Sequence, residues 1–140
     1  MKLNFSELRG LSTYTFKSDK GIGVKILYDK DNVFNIKNMF FIVYTKDGNV
    51  LYKSNKGCFT VVEYTKTVKT GNTFFDRYTT IKAHKLAFKR NASGFSNDLN
   101  SFKEFCANRK SGNEIYNLFM QELTVMSNIF DVPEFAYSVL

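Results

Sequence analysis

The sequence predicts an α+β fold: an antiparallel β-meander of about five strands over residues 22–90, followed by two C-terminal helices. In the first region, short apolar and β-branched runs alternate with turns rich in glycine, asparagine and aspartate, which is typical of antiparallel strands. Beyond residue 95, apolar residues recur at helical spacing instead. A chain of 140 residues is long enough to bury a core without a metal or a disulfide, and its 44% of hydrophobic residues is close to the globular average. Before the meander, residues 3–11 predict a helical turn or an irregular arm.

We therefore expect a single domain over residues 1–140. Charge divides this domain unevenly, because residues 1–90 carry 17 basic and 7 acidic side chains, whereas residues 91–140 carry 3 basic and 6 acidic ones. This asymmetry indicates that the first part attracts polyanions and that the second does not. The predicted parts are a basic, mainly β part over 1–90, an acidic helical part over 95–131 and a tail over 132–140.

The first predicted strands are short and end at recognisable turns. Residues 24–28 are an apolar run, and residues 39–45 are a longer run suited to a central strand. The Asp47-Gly48 dipeptide then predicts a tight hairpin, because both residues take a positive φ at low cost. Residues 50–53 form the returning strand.

The last two predicted strands form a long ribbon. A turn at 55–57 precedes a strand over residues 59–70, and Gly71-Asn72 predicts a two-residue turn into a strand over 73–88. Each strand is about twice the usual length of five or six residues. We therefore expect either that the ribbon bends at a bulge or that its tip projects as an arm.

Two helices follow the ribbon. Apolar spacing predicts the first over residues 97–109 and the second over residues 112–130. Ser111 and Glu114 have the spacing of a capping box at the start of the second helix. Pro133 prevents its continuation.

Motifs for catalysis or metal binding are incomplete. Cys58, Cys106 and His84 are the only cysteines and the only histidine, which is too few for a typical zinc site. A Cys58–His84 nucleophile pair would lack an orienting third group. The Gly21-x-Gly23 pair lacks the third glycine of a nucleotide-binding loop. We therefore expect a non-enzymatic protein with no cofactor, no metal and reduced thiols.

The sequence shows no signal for a membrane or for export. The N-terminal segment lacks the apolar stretch of a secretory signal, and no apolar run reaches the roughly 18 residues that a spanning helix needs. We expect a cytoplasmic protein that does not bind a membrane.

Basic and aromatic side chains share the predicted strands and turns between residues 53 and 90. Lysines can follow a phosphate backbone, and aromatic rings can stack on bases, so this composition predicts binding of single-stranded DNA or RNA. The predicted basic contacts are Lys53, Lys56, Lys66, Lys69, Arg77, Lys82, Lys85, Lys89 and Arg90, and the predicted stacking residues are Tyr64, Phe75 and Tyr78.

The positions of these basic residues argue against one flat surface. Neighbouring residues of a strand point to opposite faces, and the basic residues of the ribbon fall at both odd and even positions. We therefore expect a single patch only if a bulge or a coil redirects one of the two sets.

A second interpretation is a phage- or virus-type inhibitor that binds a host protein. Lys, Phe, Asn, Tyr and Ile make up 60 of the 140 residues, and their codons are rich in A and T, as in many phages, viruses and low-GC bacteria. The same lysines would then steer the chain to an acidic protein partner, with Phe135, Tyr137 and Leu140 as apolar anchors. Self-association through the C-terminal helices is also left open.

Overall fold

The computed structural model describes residues 11–17, 21–71 and 77–131, and it confirms the α+β class. In these residues six strands form two antiparallel sheets, and two helices follow them. The strands are β1 (Leu11–Lys17), β2 (Ile22–Asp29), β3 (Phe40–Thr45), β4 (Val50–Lys53), β5 (Phe59–Thr70) and β6 (Arg77–Phe88). A 3-10 turn covers Ile36–Asn38, and the helices are α1 (Asn97–Ala107) and α2 (Gly112–Phe130).

The predicted meander is divided between the two sheets. Strands β1 to β4 pair in chain order, whereas β5 and β6 form a separate two-stranded sheet. The chain leaves the first sheet after Ser54, whose backbone N–H donates to the Phe41 carbonyl at 2.9 Å. Strand β1 precedes the predicted meander and pairs along β2. Residues 3–10 of the predicted helical turn or arm lie outside the described residues.

The β5–β6 hairpin has a different connection from the predicted one. Its register is unbroken from Phe59↔Phe88 to Thr70↔Arg77, whereas a two-residue turn at Gly71-Asn72 would pair Thr70 with Thr73. No bulge interrupts the paired residues, and residues 77–82 are all exposed. Of the two expected outcomes, the structure therefore favours a projecting arm, which consists of residues 65–70 and 77–82.

The two helices begin close to the predicted residues but are capped differently. The Ser96 hydroxyl accepts a hydrogen bond from the Leu99 amide at 3.2 Å and so caps α1. The predicted capping box of α2 is wrong, because the Ser111 side chain makes no capping bond. Ser111 has φ −91° and ψ 15°, not the extended backbone that directs an N-cap hydroxyl toward the first turn. Neither described helix has the length and apolarity needed to cross a membrane.

An aromatic cluster joins the two sheets and both helices. Its centre is Phe41 of β3, whose ring lies 4.6–6.0 Å from five other rings. These rings belong to Tyr52, Phe59, Phe88, Phe102 and Phe119. Because Phe59 and Phe88 are the first pair of the hairpin, the cluster fixes the hairpin base against α1 and α2.

Candidate functional site

The register of the hairpin sorts the predicted basic contacts onto two faces. Residues directly opposite each other in an antiparallel pair lie on the same face. Lys69 and Lys82 therefore share one face, whereas Lys66, Arg77 and Lys85 share the other. The bulge that would have redirected one set is not present in the paired residues, so these five cations do not form a single patch.

Two of the predicted contacts are engaged with carboxylates. Lys66 Nζ lies 2.7 Å from the Asp131 carboxylate just after α2, and Lys82 Nζ lies 3.6 Å from Glu63. The hydrogen bond from Lys66 lowers the pKa of Asp131, which also accepts a hydrogen bond from the His84 backbone amide at 3.1 Å. Lys66 therefore joins the arm to the end of α2, and its charge is less available to an external phosphate than that of an unpaired lysine.

Three further predicted contacts lie on the arm: Lys69, Arg77 and Tyr78. Lys69 and Arg77 are exposed near its end but on opposite faces. Tyr78 is 61% exposed on the same face as Lys69, and its ring is accessible to a ligand. Phe75 lies outside the described residues.

A first groove, of about 430 Å³, lies where the hairpin base meets the 3-10 turn. Its lining includes Lys37, Lys56 and Lys89 around Thr60, and all three lysines are exposed. The Gly57 amide donates to the Met39 carbonyl at 2.9 Å, which holds the turn that carries Lys56 close to the end of the 3-10 turn. Lys37 was not predicted as a contact, because it is a single lysine between two predicted strands and is distant from the ribbon in the sequence.

A second groove, of about 450 Å³, lies between α2 and β6. Lys85, Arg90 and Tyr64 line it on the hairpin side, and Tyr116 and Met120 line it on the helix side. Lys85 Nζ lies 5.0 Å from the centre of the Tyr64 ring, within the range of a cation–π contact. This groove brings together three of the predicted site residues.

The two grooves lie on neighbouring strands at the base of the hairpin. Thr60 lines the first groove and Ala87 lines the second, and these two residues are directly opposite each other on one face. We call the exposed cations around the two grooves the cationic base, and its members are Lys37, Lys56, Lys85, Lys89 and Arg90. Within residues 21–71 and 77–131, none of the five has a carboxylate oxygen within 4.0 Å.

Lys53 extends the cationic base along β4. Its Nζ lies 5.3 Å from the centre of the Phe40 ring, and Lys56 Nζ lies 5.9 Å from the same ring. Phe40 is 2% exposed, so the ammonium groups of two exposed lysines lie within cation–π range of a buried ring.

Cys58 and His84 lie apart from each other. The Cys58 carbonyl accepts a hydrogen bond from the Lys89 amide, so Cys58 lies opposite Lys89. His84 lies opposite Glu63, five residues further along the ribbon. Cys58 and His84 are therefore roughly 16 Å apart. Burial raises the pKa of Cys58 to about 12 and that of Cys106 to about 11, so both thiols stay protonated near neutral pH. In this arrangement Cys58 and His84 do not form a nucleophile–base pair.

No protein-family model, curated protein or solved structure matches this chain.

Proposed function

We propose that the protein binds single-stranded nucleic acid, without catalysis, on the cationic base of the β5–β6 hairpin. The observation that carries the proposal is the grouping of five exposed cations around two neighbouring grooves at the hairpin base, with no carboxylate partner in the described residues. The chain has a formal charge of +7, which favours approach to any polyanion.

Cations without a carboxylate partner among the described residues make this surface a better phosphate site than the arm. A lysine that already holds a carboxylate must break that contact before it binds a phosphate, and Lys66 and Lys82 have such contacts. Lys85 and Lys89 have no such partner among the described residues, and they lie four residues apart, about 13 Å along an extended chain. Phosphates bound along this line would release their counterions, which is the main source of affinity in non-specific binding.

Tyr64 adds an aromatic ring to the same surface. It lies on the same face as Lys85, inside the second groove. Stacking of a base on such a ring contributes about 1–3 kcal/mol and depends little on the base. We therefore expect the protein to bind single strands with little sequence preference.

The first test removes two charges from the cationic base. In the double variant Lys56→Gln/Lys89→Gln, binding of a fluorescein-labelled dT oligonucleotide should weaken roughly tenfold to a hundredfold at about 50 mM salt, because two phosphate contacts are lost. Fluorescence anisotropy measures the dissociation constant.

The matched control removes the same charge elsewhere. Lys103 and Lys110 are exposed at α1 and just after it, outside both grooves, so Lys103→Gln/Lys110→Gln should change the affinity less than threefold. Equal losses in the two variants would show that only net charge matters and would contradict the proposed surface.

A protein partner would give a different result. In that case the oligonucleotide would not bind, and a tagged chain would retain one stoichiometric protein from a lysate after nuclease treatment. Loss of that protein in Lys56→Gln/Lys89→Gln would assign the cationic base to an acidic protein surface and would overturn the nucleic-acid proposal.

A further inference from the structure

We propose that the second groove, between α2 and β6, receives one base of the bound strand, while Lys85 and Arg90 hold the phosphate of the same nucleotide. This inference rests on the proposed function and deepens it, because it assigns a nucleotide-binding pocket next to the phosphate-binding surface. The groove has a volume of about 450 Å³, within the range of roughly 300–1,000 Å³ that small-molecule sites occupy.

The floor of the groove is apolar and partly open to water. Leu99, Met120 and Leu123 line it, and Met120 is 42% exposed although it is a large apolar side chain. A flat base would cover this apolar surface, and a thioether makes favourable contacts with aromatic rings. The exposed Met120 side chain is therefore suited to contact a base.

Two tyrosines stand on either side of this floor. The Tyr116 ring stacks on Phe102 with ring centres 6.0 Å apart and an interplanar angle of 21°, so its orientation is fixed by the core. The Tyr64 ring carries Lys85 near one of its faces. Rings that are already oriented lose little entropy when a base binds, which favours stacking.

Polar groups lie along one edge of the groove. Thr124, Ser127 and Asn128 come from successive turns of α2. Ser127 Oγ accepts a hydrogen bond from the Leu86 amide of β6 at 3.0 Å, and this bond holds the helix against the strand, so the groove is already formed. The Asn128 amide can both donate to and accept from the edge of a base, which suits binding of different bases.

The cations at the groove favour a nucleotide over a neutral ligand. Lys85 and Arg90 both line it, and the Arg90 guanidinium is positioned by a 2.8 Å hydrogen bond from Nη1 to the Gly94 carbonyl. The strand would continue across the pair Thr60↔Ala87 toward Lys89 and the first groove.

The experiment compares two ligands of equal charge: a dT octamer and an octamer of the same length made of abasic sites. We expect the protein to bind dT at least tenfold more tightly than the abasic strand, because only dT can fill the groove. In Thr124→Met, a longer uncharged side chain occupies groove volume, and the dT preference should fall below threefold while the abasic affinity stays the same. The matched control is Gln121→Met, which changes an exposed residue of α2 outside the groove and should keep the full preference.

A spectroscopic readout locates the base. With ¹³C-methyl methionine, the Met120 signal should shift on addition of dT but not of the abasic octamer, while Met39 and Met126, which have no exposed surface, serve as internal references. Equal binding of both strands, an unmoved Met120 signal, or an unchanged dT preference in Thr124→Met would each overturn the groove assignment while leaving phosphate binding intact. Binding of neither strand would overturn the proposed function itself.

Discussion

At the scale of single residues, Glu122 is the one acidic or basic side chain of the described residues that is buried. It lies on α2 with no exposed surface, and neither of its carboxylate oxygens has a hydrogen-bond partner in the described residues. Burial raises its pKa to about 7, and the nearby backbone of Ile26 offsets part of that shift. The native state therefore keeps this carboxyl protonated at a pH where the unfolded chain releases the proton.

The raised pKa of Glu122 determines the direction in which the free energy of unfolding changes with pH. Between the unfolded value of about 4.5 and the folded value of about 7, the native state binds more protons, so the free energy of unfolding falls as pH rises through this window. The total loss is about 3 kcal/mol, and it is complete above the folded pKa. Glu122→Gln should remove this loss and be more stable than the wild type at pH 8, as measured by urea unfolding at pH 5 and pH 8. Exposed Glu104→Gln is the control, and an identical pH dependence in Glu122→Gln and the wild type would refute this account.

Lys66 shows which properties of a single residue the sequence could predict. The sequence places Lys66 on the ribbon, and its even position predicts that it faces away from Lys69, which is at an odd position. The unbroken register confirms that the two lysines point to opposite faces. The partner of Lys66, Asp131, is 65 residues away and reaches it only because α2 packs along β6. A contact of that kind depends on tertiary packing, so no local pattern could show that the charge is engaged.

At the scale of elements, the two helix starts differ in how they are stabilised. Ser96 has an extended backbone, is 2% exposed and accepts the Leu99 amide, whereas the Ser111 side chain accepts nothing from the first turn of α2. The start of α2 is instead determined by its close approach to the end of α1. A Cβ on Gly112 would lie only 1.8 Å from the Cys106 carbonyl oxygen.

This difference predicts unequal costs for the same substitution. Ser96→Ala should lower the free energy of unfolding by about 1 kcal/mol, because a buried cap is lost, and Ser111→Ala by less than about 0.5 kcal/mol. Urea midpoints at constant m-value measure both. A cost for Ser111→Ala equal to that for Ser96→Ala would contradict the capping assignment.

Local patterns predicted the elements better than their connections. The spacing of Leu99, Phe102 and Cys106 gave α1 to within two residues at its end, and α2 has the predicted bounds. The predicted connection of the long hairpin was wrong. The pair Phe59↔Phe88 at the buried base sets the register of the two strands, and a two-residue turn at Gly71-Asn72 does not fit that register. Where core packing and a turn signal disagree, burial of two aromatic rings outweighs the preference of one dipeptide.

At the scale of the whole molecule, the basic part does not present its charge evenly. The predicted contacts are divided between the two faces of the arm and the cationic base. In the part of the chain that the structure describes, the base combines grooves with cations that have no carboxylate partner. The sequence identified Lys56, Lys85, Lys89 and Arg90 as basic candidates. It could not identify Lys37 or the grooves, because these depend on how the 3-10 turn and α2 pack on the hairpin.

The salt dependence of binding tests the central claim most directly. With up to five phosphates neutralised by the cationic base, the slope of log affinity against log salt should approach about −3.5, since each single-strand contact contributes about −0.7. Lys56→Gln/Lys89→Gln should make this slope shallower by about 1.4, whereas the arm variant Lys69→Gln/Arg77→Gln should change it by less than about 0.7. If the arm variant flattens the slope and the base variant leaves it unchanged, then the nucleic acid lies along the arm and the cationic base is not the binding surface.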